Sequence, residues 1–266
     1  YEELGIEAPG ELDGTILESF NEDRCAVIEQ LAPEIVSFHF GLPEDDLVQR
    51  VKAAGSKIIS TATTVEEARW LEQHGCDAII AQGYEAGGHR GMFLSDDIAT
   101  QVGTLSLVPQ ICDAVSVPVI AAGGIADGRG IAAAFALGAS GVQLGTAFLF
   151  TDEATLSKVY DETLRTNHST PTSFSNVFSG RPARCIMNRV MVEQGPMSIK
   201  APAFPKGVHA ISALKKGAEG INSRDFSAHY SGQSGPLGIT DKAVSARQLT
   251  EDLAADAIKR LQGLTP

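Results

Sequence analysis

Two short predicted strands near the middle of the chain end in residues suited to binding an anion. Pro118–Ala122 runs into Gly123-Gly124, and Val142–Leu144 runs into Gly145-Thr146. Backbone N–H groups at such junctions are unscreened by side chains, and one junction adds a hydroxyl; together they match what a phosphate needs. A single glycine pair would mean no more than a tight turn, but two on successive strands favour phosphate. The stretch is not a dinucleotide fingerprint, because no Gly-x-Gly-x-x-Gly occurs there. The second candidate is His89, flanked by Gly87, Gly88 and Gly91. Its imidazole can accept a proton or donate a hydrogen bond, and the glycines let a cofactor or substrate approach the backbone. No neighbouring serine or cysteine in the sequence completes a nucleophilic pair with it. Thr61 and Gln82 sit at predicted strand ends facing the same way, where they suit the polar rim of a heterocycle. Gln82 reads equally as a turn amide. Arg181 and Arg184 read as structural, and His39 as lining a cavity or filling core. Glu44-Asp45-Asp46 is explained by the helix it opens.

These residues need a scaffold of alternating strands and helices. Strands are expected at 35–40, 57–61, 77–82, 118–122 and 142–144. Helices are expected at 22–31, 44–54, 64–74, 105–115, 131–137 and 152–166, most with recognisable caps and stops. His39 falls inside the first strand of this reading. The loop from Tyr84 to Gly103 is long for a βα connection, which marks it as functional. Alternation of this kind implies a parallel sheet. Five βα units would build an open doubly wound sheet, or the last part of an eight-unit barrel whose final two loops hold a phosphate. Beyond Asn167 the pattern breaks into an irregular, Ser/Thr/Pro/Arg-rich segment. A helix is expected at 207–221, a Gly/Ser/Pro loop at 231–240 and a terminal helix at 249–262.

The 266 residues suffice for one large α/β domain, and 43% hydrophobic with 20% charged residues is ordinary for a globular protein. A net charge of −12 argues against nucleic acid or an anionic membrane as partner. No apolar run is long enough for a membrane span. The four cysteines are scattered without Cys-x-x-Cys spacing, which disfavours structural zinc and suggests a reduced, cytoplasmic setting.

Ala81 to Gly91 (AQGYEAGGHRG), Pro118 through Ile125 and Val142 to Thr146 together closely resemble the nitronate monooxygenases, formerly called 2-nitropropane dioxygenases. Val36–Pro43, Gly180–Arg184 and Ser231-Gly232-Gln233 also look like family segments, so the resemblance covers nearly the whole chain. It implies an α/β fold: a (β/α)8 TIM-type barrel of which about the last five βα units are present, plus a small, mostly helical C-terminal portion. On this reading 1–166 is a partial FMN-binding barrel, 167–230 an irregular and helical substrate-side segment, and 231–266 a loop and helix returning to the barrel. The family oxidises alkyl nitronates with O₂ to a carbonyl compound and nitrite, using FMN and no metal. His89 matches the family's active-site histidine, a base toward neutral nitroalkanes and an electrostatic partner for nitronates. Gln82 and Gly83 match flavin contacts, with Thr61, Gly87 and Gly88 beside them. Gly123, Gly124, Gly145 and Thr146 match the phosphate cradle, and Gln233 a late segment near the flavin. A homodimer is an option for the assembly.

The family's opening strands, with a Pro-Met-(Ala/Gly)-Gly type turn, have no counterpart here. The reading therefore expects five strands with two exposed edges, poor folding and weak FMN binding. Two alternatives stand beside it: an FMN- and NAD(P)H-dependent enoyl-acyl carrier protein reductase, and an inactive, N-terminally truncated fragment.

Overall fold

The computed structural model describes residues 1–8, 10, 18–166, 171–239 and 244–264. Expectations for 11–17, for the opening of the irregular segment at 167–170, and for position 240 lie outside the described residues. In chain order the first elements are α1 (Glu22–Leu31), β1 (Ile35–Phe38), α2 (Asp45–Ala53), β2 (Lys57–Ala62), α3 (Val65–Gln73) and β3 (Ala78–Gln82). They are followed by β4 (Gly88–His89), α4 (Thr104–Ala114), β5 (Val119–Ala122), α5 (Gly128–Ala136) and β6 (Gly141–Gln143). The rest is α6 (Lys158–Thr166), β7 (Thr172–Ser175), β8 (Ala183–Ile186), α7 (Arg189–Gln194), α8 (Lys206–Gly220) and α9 (Ala246–Leu264). No described helix is long and apolar enough to cross a membrane.

Local chemistry fixes the helix starts. Asn21 accepts from the Arg24 N–H, Thr64 from Glu67, and Asp127 from Arg129 and Gly130, each satisfying amides that the first turn leaves without partners. α6 begins later than the sequence suggests. Thr151 forms a parallel bridge to Val244, and the Asp152 N–H donates to Val244 O, so this stretch is held extended. Helix geometry resumes only after Ser157, whose hydroxyl accepts from the Tyr160 N–H. His39 lies just past the end of β1 rather than inside it, and Phe40 beside it adopts φ 68°.

The chain divides into two compact units. One comprises 18–85, 91–144 and 253–266 and carries a five-stranded parallel sheet in the order β1-β2-β3-β5-β6. Every strand pairs with its predecessor in this sheet, with no reversal of direction. A doubly wound sheet needs a switch point where the order reverses, so this arrangement is the wall of a (β/α) barrel. Right-handed crossovers between successive neighbours place the helices on one face. Central strands β2 and β3 are buried over most of their length, while edge strands β1 and β6 are more exposed. Gly128 lets α9 approach α5: a Cβ there would lie 2.7 Å from the Ala257 nitrogen.

The other unit comprises 1–17, 86–90 and 145–252. Its antiparallel sheet, ordered β4-β8-β7, is not evident in the sequence. Here the strands are two to four residues long, and β8 includes a buried arginine, so no alternation of polar and apolar residues marks them. Phe178, Cys185, Val190 and Met191 form the core beneath, together with Ile211 and Phe226. Arg90 and Arg184 are both fully buried, with guanidinium carbons 5.6 and 4.1 Å from the Phe174 ring centroid. Stacking on an aromatic face provides electrostatic compensation for a buried cation.

His229 is also buried here, stacked on Tyr160 with ring centroids 4.6 Å apart. Among the described residues its Nε2 has no hydrogen-bond partner, and Glu219 Oε1 at 3.8 Å is too distant to be one. Burial pushes its pKa from 6.5 down to about 4, against the upward pull of Glu219 and with Lys215 and Arg224 pushing the same way as burial. A histidine held neutral in the fold charges more readily when unfolded. Its contribution is therefore complete above about pH 6.5 and lost as pH falls toward 4. The expected result is a fall in the urea midpoint over that window, at most about 3 kcal/mol from this residue. His229→Phe should flatten this part of the profile; an unchanged profile would contradict the assignment.

Candidate functional site

The histidine-bearing loop leaves β3 at Gln82 and returns through Gly91. In the parallel-sheet unit, the Gln82 side-chain oxygen accepts from the Gly91 N–H at 2.8 Å and so clamps the two ends of the loop together. A Cβ on Gly91 would lie 2.5 Å from Thr61 Cγ2 and 2.9 Å from His39 Cε1. Thr61 in turn meets His39 Nδ1 through its hydroxyl at 3.0 Å. Thr61, Gln82, His39 and Gly91 thus form one packed group at the carboxyl ends of β1, β2 and β3.

Gly83 and the β5 glycines belong to a second group in the same unit. A Cβ on Gly83 would collide with Thr104, at 2.5 Å from its nitrogen, so this glycine admits the start of α4. The Glu85 carboxylate accepts from the Thr104 N–H at 2.8 Å, and the Thr104 hydroxyl lies 2.7 Å from the same carboxylate and 2.9 Å from Gly123 O. A negative charge at the first amide of α4 is favoured by the helix dipole. Gly123 and Gly124 have φ 101° and 70°, values that favour glycine. Glu85 and Thr104 were not legible as site residues, because the contacts that hold the glycine turn are non-local.

The sheet pairing β4 with β8 sets His89 opposite Ala183 and Gly88 opposite Arg184, and the Arg90 N–H donates to Pro182 O. The imidazole is half-buried; its centroid is 5.7 Å from the Tyr230 ring and 6.1 Å from Phe204. Nε2 lies 2.7 Å from Ser179 Oγ. Arg181 stacks on Phe204 at 5.4 Å. Burial first, then the Arg181 charge, hold the His89 pKa below the ordinary imidazole value, so the ring is neutral at neutral pH. Ser179 is a partner the sequence did not disclose, lying ninety positions away from His89.

In this same unit the structure brings together Gly87, Thr146 and the segment holding Gln233. A Cβ on Gly87 would lie 2.4 Å from the Gly232 nitrogen and 2.6 Å from the Ser231 carbonyl carbon. The Gly232 N–H donates to Thr146 Oγ1 at 2.9 Å. Gln233 itself is exposed. Gly88 and Gly145 differ from Gly87: a Cβ on either meets nothing within 4 Å. Gly83 and Gly87 therefore serve close approach of the chain to itself, whereas Gly88 and Gly145 have room beside them for a bound group. Within this unit, the open flank of Gly145 and the neighbouring Thr146 hydroxyl have the chemistry of a phosphate contact. Among the described residues no cluster of three or more His, Cys, Asp or Glu side chains could hold a metal.

The two neighbouring glycines give a graded prediction. Gly87→Ala forces a Cβ into backbone and should destabilise the chain by about 1–3 kcal/mol. Gly88→Ala meets only the strain of its φ of 74° and should cost about 1 kcal/mol. Denaturant midpoints of the two variants, read against the parent, would refute this if their order were reversed.

Comparison with known proteins follows the same lines. The family profile described as Nitronate monooxygenase matches residues 9–256. A probable nitronate monooxygenase of Staphylococcus aureus (strain Newman) is 44% identical over 218 residues, which cover 82% of this chain and 61% of that protein. The chain thus spans about three fifths of the length of this relative. Among solved structures, nitroalkane oxidase from Streptomyces ansochromogenes superposes with a TM-score of 0.83 at 41% identity, covering 91% of this chain and 69% of the other. FabK from Thermotoga maritima superposes with a TM-score of 0.71 at 31% identity, covering 91% and 73%. By profile, sequence and fold, this chain belongs to the nitronate monooxygenase family.

Proposed function

We propose that the chain is the FMN- and nitronate-binding part of an enzyme that oxidises alkyl nitronates with O₂ to a carbonyl compound and nitrite. The observation that carries this reading is the neutral, half-buried His89, flanked by Tyr230 and Phe204, in a chain whose family match runs from residue 9 to 256. Gly123, Gly124, Gly145 and Thr146 would hold the FMN phosphate through backbone N–H groups and one hydroxyl. Thr61, Gln82, Gly88 and Gln233 would contact the rest of the flavin, with Gly83 and Gly87 contributing backbone groups only, because Thr104 and Ser231-Gly232 fill their side-chain flanks. When bound, the flavin supplies the redox chemistry. A nitronate is already an anion, so His89 need not remove a proton. Its ring donates a hydrogen bond to the substrate oxygen, and the Arg181 charge nearby favours an anion over a neutral molecule.

The test is to add FMN to the purified chain, follow flavin binding by fluorescence, and measure nitrite release from a nitronate in air. Flavin bound without nitrite release overturns the reading. Anaerobic NADPH in place of nitronate is the control for the reductase alternative: flavin bleaching by NADPH alone would favour that activity instead.

A further inference from the structure

We propose that the turn carrying Ile199 is a self-association surface: in a two-fold dimer, each copy of the chain seats its Ile199 in the groove beside the other's turn. This surface lies wholly in the unit comprising 1–17, 86–90 and 145–252. The inference goes beyond the function proposed above and does not rest on it.

Large apolar side chains stand out on this surface. Ile199 is fully exposed, Val192 is 70% exposed and Met197 44%. Scattered singly such residues need no explanation, but here they adjoin a groove, and contiguous apolar patches mark interaction sites. Ser198 and Lys200 on either side of Ile199, and Glu193 next to Val192, line that groove, which has a volume of about 370 Å³. The rest of its lining is largely apolar. Val177, Ile211 and Phe226 pack on the core of the unit yet stay only partly buried, and Leu214 on α8 joins them. An apolar cavity of about 150 Å³ is enough for benzene. This groove therefore has room for a branched aliphatic side chain and part of a neighbour.

The turn is held in shape before any partner arrives. Asn176 grips Ser198 at both backbone groups, its Oδ1 accepting from the Ser198 N–H at 2.8 Å and its Nδ2 donating to Ser198 O at 3.0 Å. The Ala201 N–H closes the turn on Ser198 O at 3.2 Å. Little backbone entropy is left to lose when Ile199 is covered. Charge selects a second copy as the occupant. Lys200 has no ion-pair partner among the described residues, while Glu193 meets Arg189 through Oε1 at 2.7 Å. In a two-fold arrangement one patch meets itself, so what each copy gives it also receives. Entry of Ile199 into the facing groove carries the adjoining Lys200 toward Glu193 of the partner subunit, and the reverse pair forms across the axis. A chain of net charge −12 repels its copies, and opposite charges around an apolar centre offset that repulsion locally.

The experiment is analytical ultracentrifugation of the purified 266-residue chain from micromolar to near-millimolar concentration. A monomer–dimer equilibrium is expected. Ile199→Asp, verified as folded by circular dichroism, should weaken it more than about thirtyfold, as loss of a central anchor does. Lys200→Glu and Glu193→Lys should each weaken it about tenfold, since both rim pairs of the dimer then set like charges together. Mixing these two variants should restore association to near the parent level, because only the mixed dimer faces opposite charges at both rims. A parent that stays monomeric throughout overturns the proposal, and so does a dimer that Ile199→Asp leaves intact. Binding of anilinonaphthalene sulfonate to such a monomer, lost in Ile199→Asp, would make the groove a small-molecule site instead. Mixed variants that associate no better than either alone overturn the two-fold arrangement.

Discussion

His89→Ala is expected to lower kcat/KM for a nitronate about 10²–10³-fold, the loss measured when one donor to a developing or bound oxyanion is removed. The ring's half-buried place between Tyr230 and Phe204 gives its hydrogen bond a low-dielectric setting, where it counts for more than in water. Flavin binding should persist, because the phosphate contacts proposed above involve other residues. His89→Asn should recover part of the loss, since an amide can donate where alanine cannot. The measurement is steady-state oxygen uptake against nitronate concentration, with flavin content determined on the same samples. An alanine variant within threefold of the parent would remove His89 from the site.

The second large effect is one of stability. Glu67→Ala should destabilise the chain by about 3–5 kcal/mol, because three buried or half-buried amides lose their acceptor at roughly 1–3 kcal/mol each, with partial relaxation. The Glu67 carboxylate is buried, and it accepts from the Thr63 N–H and hydroxyl at 2.7 Å and from the Phe93 and Leu94 N–H groups at 2.6 and 3.2 Å. It therefore ties the start of α3 to the chain just after Gly91. Glu67→Gln should cost less, as one oxygen survives, but its amide nitrogen would face donors. Urea unfolding of the three proteins checks the order. A Glu67→Ala loss under 1 kcal/mol would mean that water replaces the carboxylate.

Much of the scaffold was legible because its signals are local. The Thr64 cap, the Asp127 cap and the glycine stops after α2 and α5 act within a few residues, and β2, β3 and β5 each contain a short apolar stretch. What escaped is what the chain does at long range. Thr64 was readable as a cap, but the reach of Glu67 to Phe93 was not. Gly83 and Gly87 were expected to face a ligand, and glycine is needed at both; the neighbours that require it, Thr104 and Ser231-Gly232, become apparent only in three dimensions. His89 stood out through its glycine-rich setting, while Ser179 did not, since a serine in a Ser/Pro/Arg-rich stretch carries no distinguishing pattern. The β4-β8-β7 sheet was hidden by the brevity of its strands, and the early expected start of α6 failed because the bridge from Thr151 to Val244 holds that stretch extended.

The strictly sequential order of the parallel sheet bears on how the functional loop is accommodated. Successive strands pair after similar lengths of chain, Ile35 with Lys57, Ile59 with Ala78 and Ile120 with Gly141, except that Ile79 must wait for Val119. The intervening chain there is about twice as long, because it contains the excursion that carries His89. Closing a flexible loop of doubled length costs only about 0.6 kcal/mol of extra chain entropy. The search for that one strand pairing is lengthened, which makes β3 with β5 the expected slow step in sheet assembly. A barrel wall can thus house a long functional insertion at almost no thermodynamic penalty, the burden falling on the order in which its strands find one another.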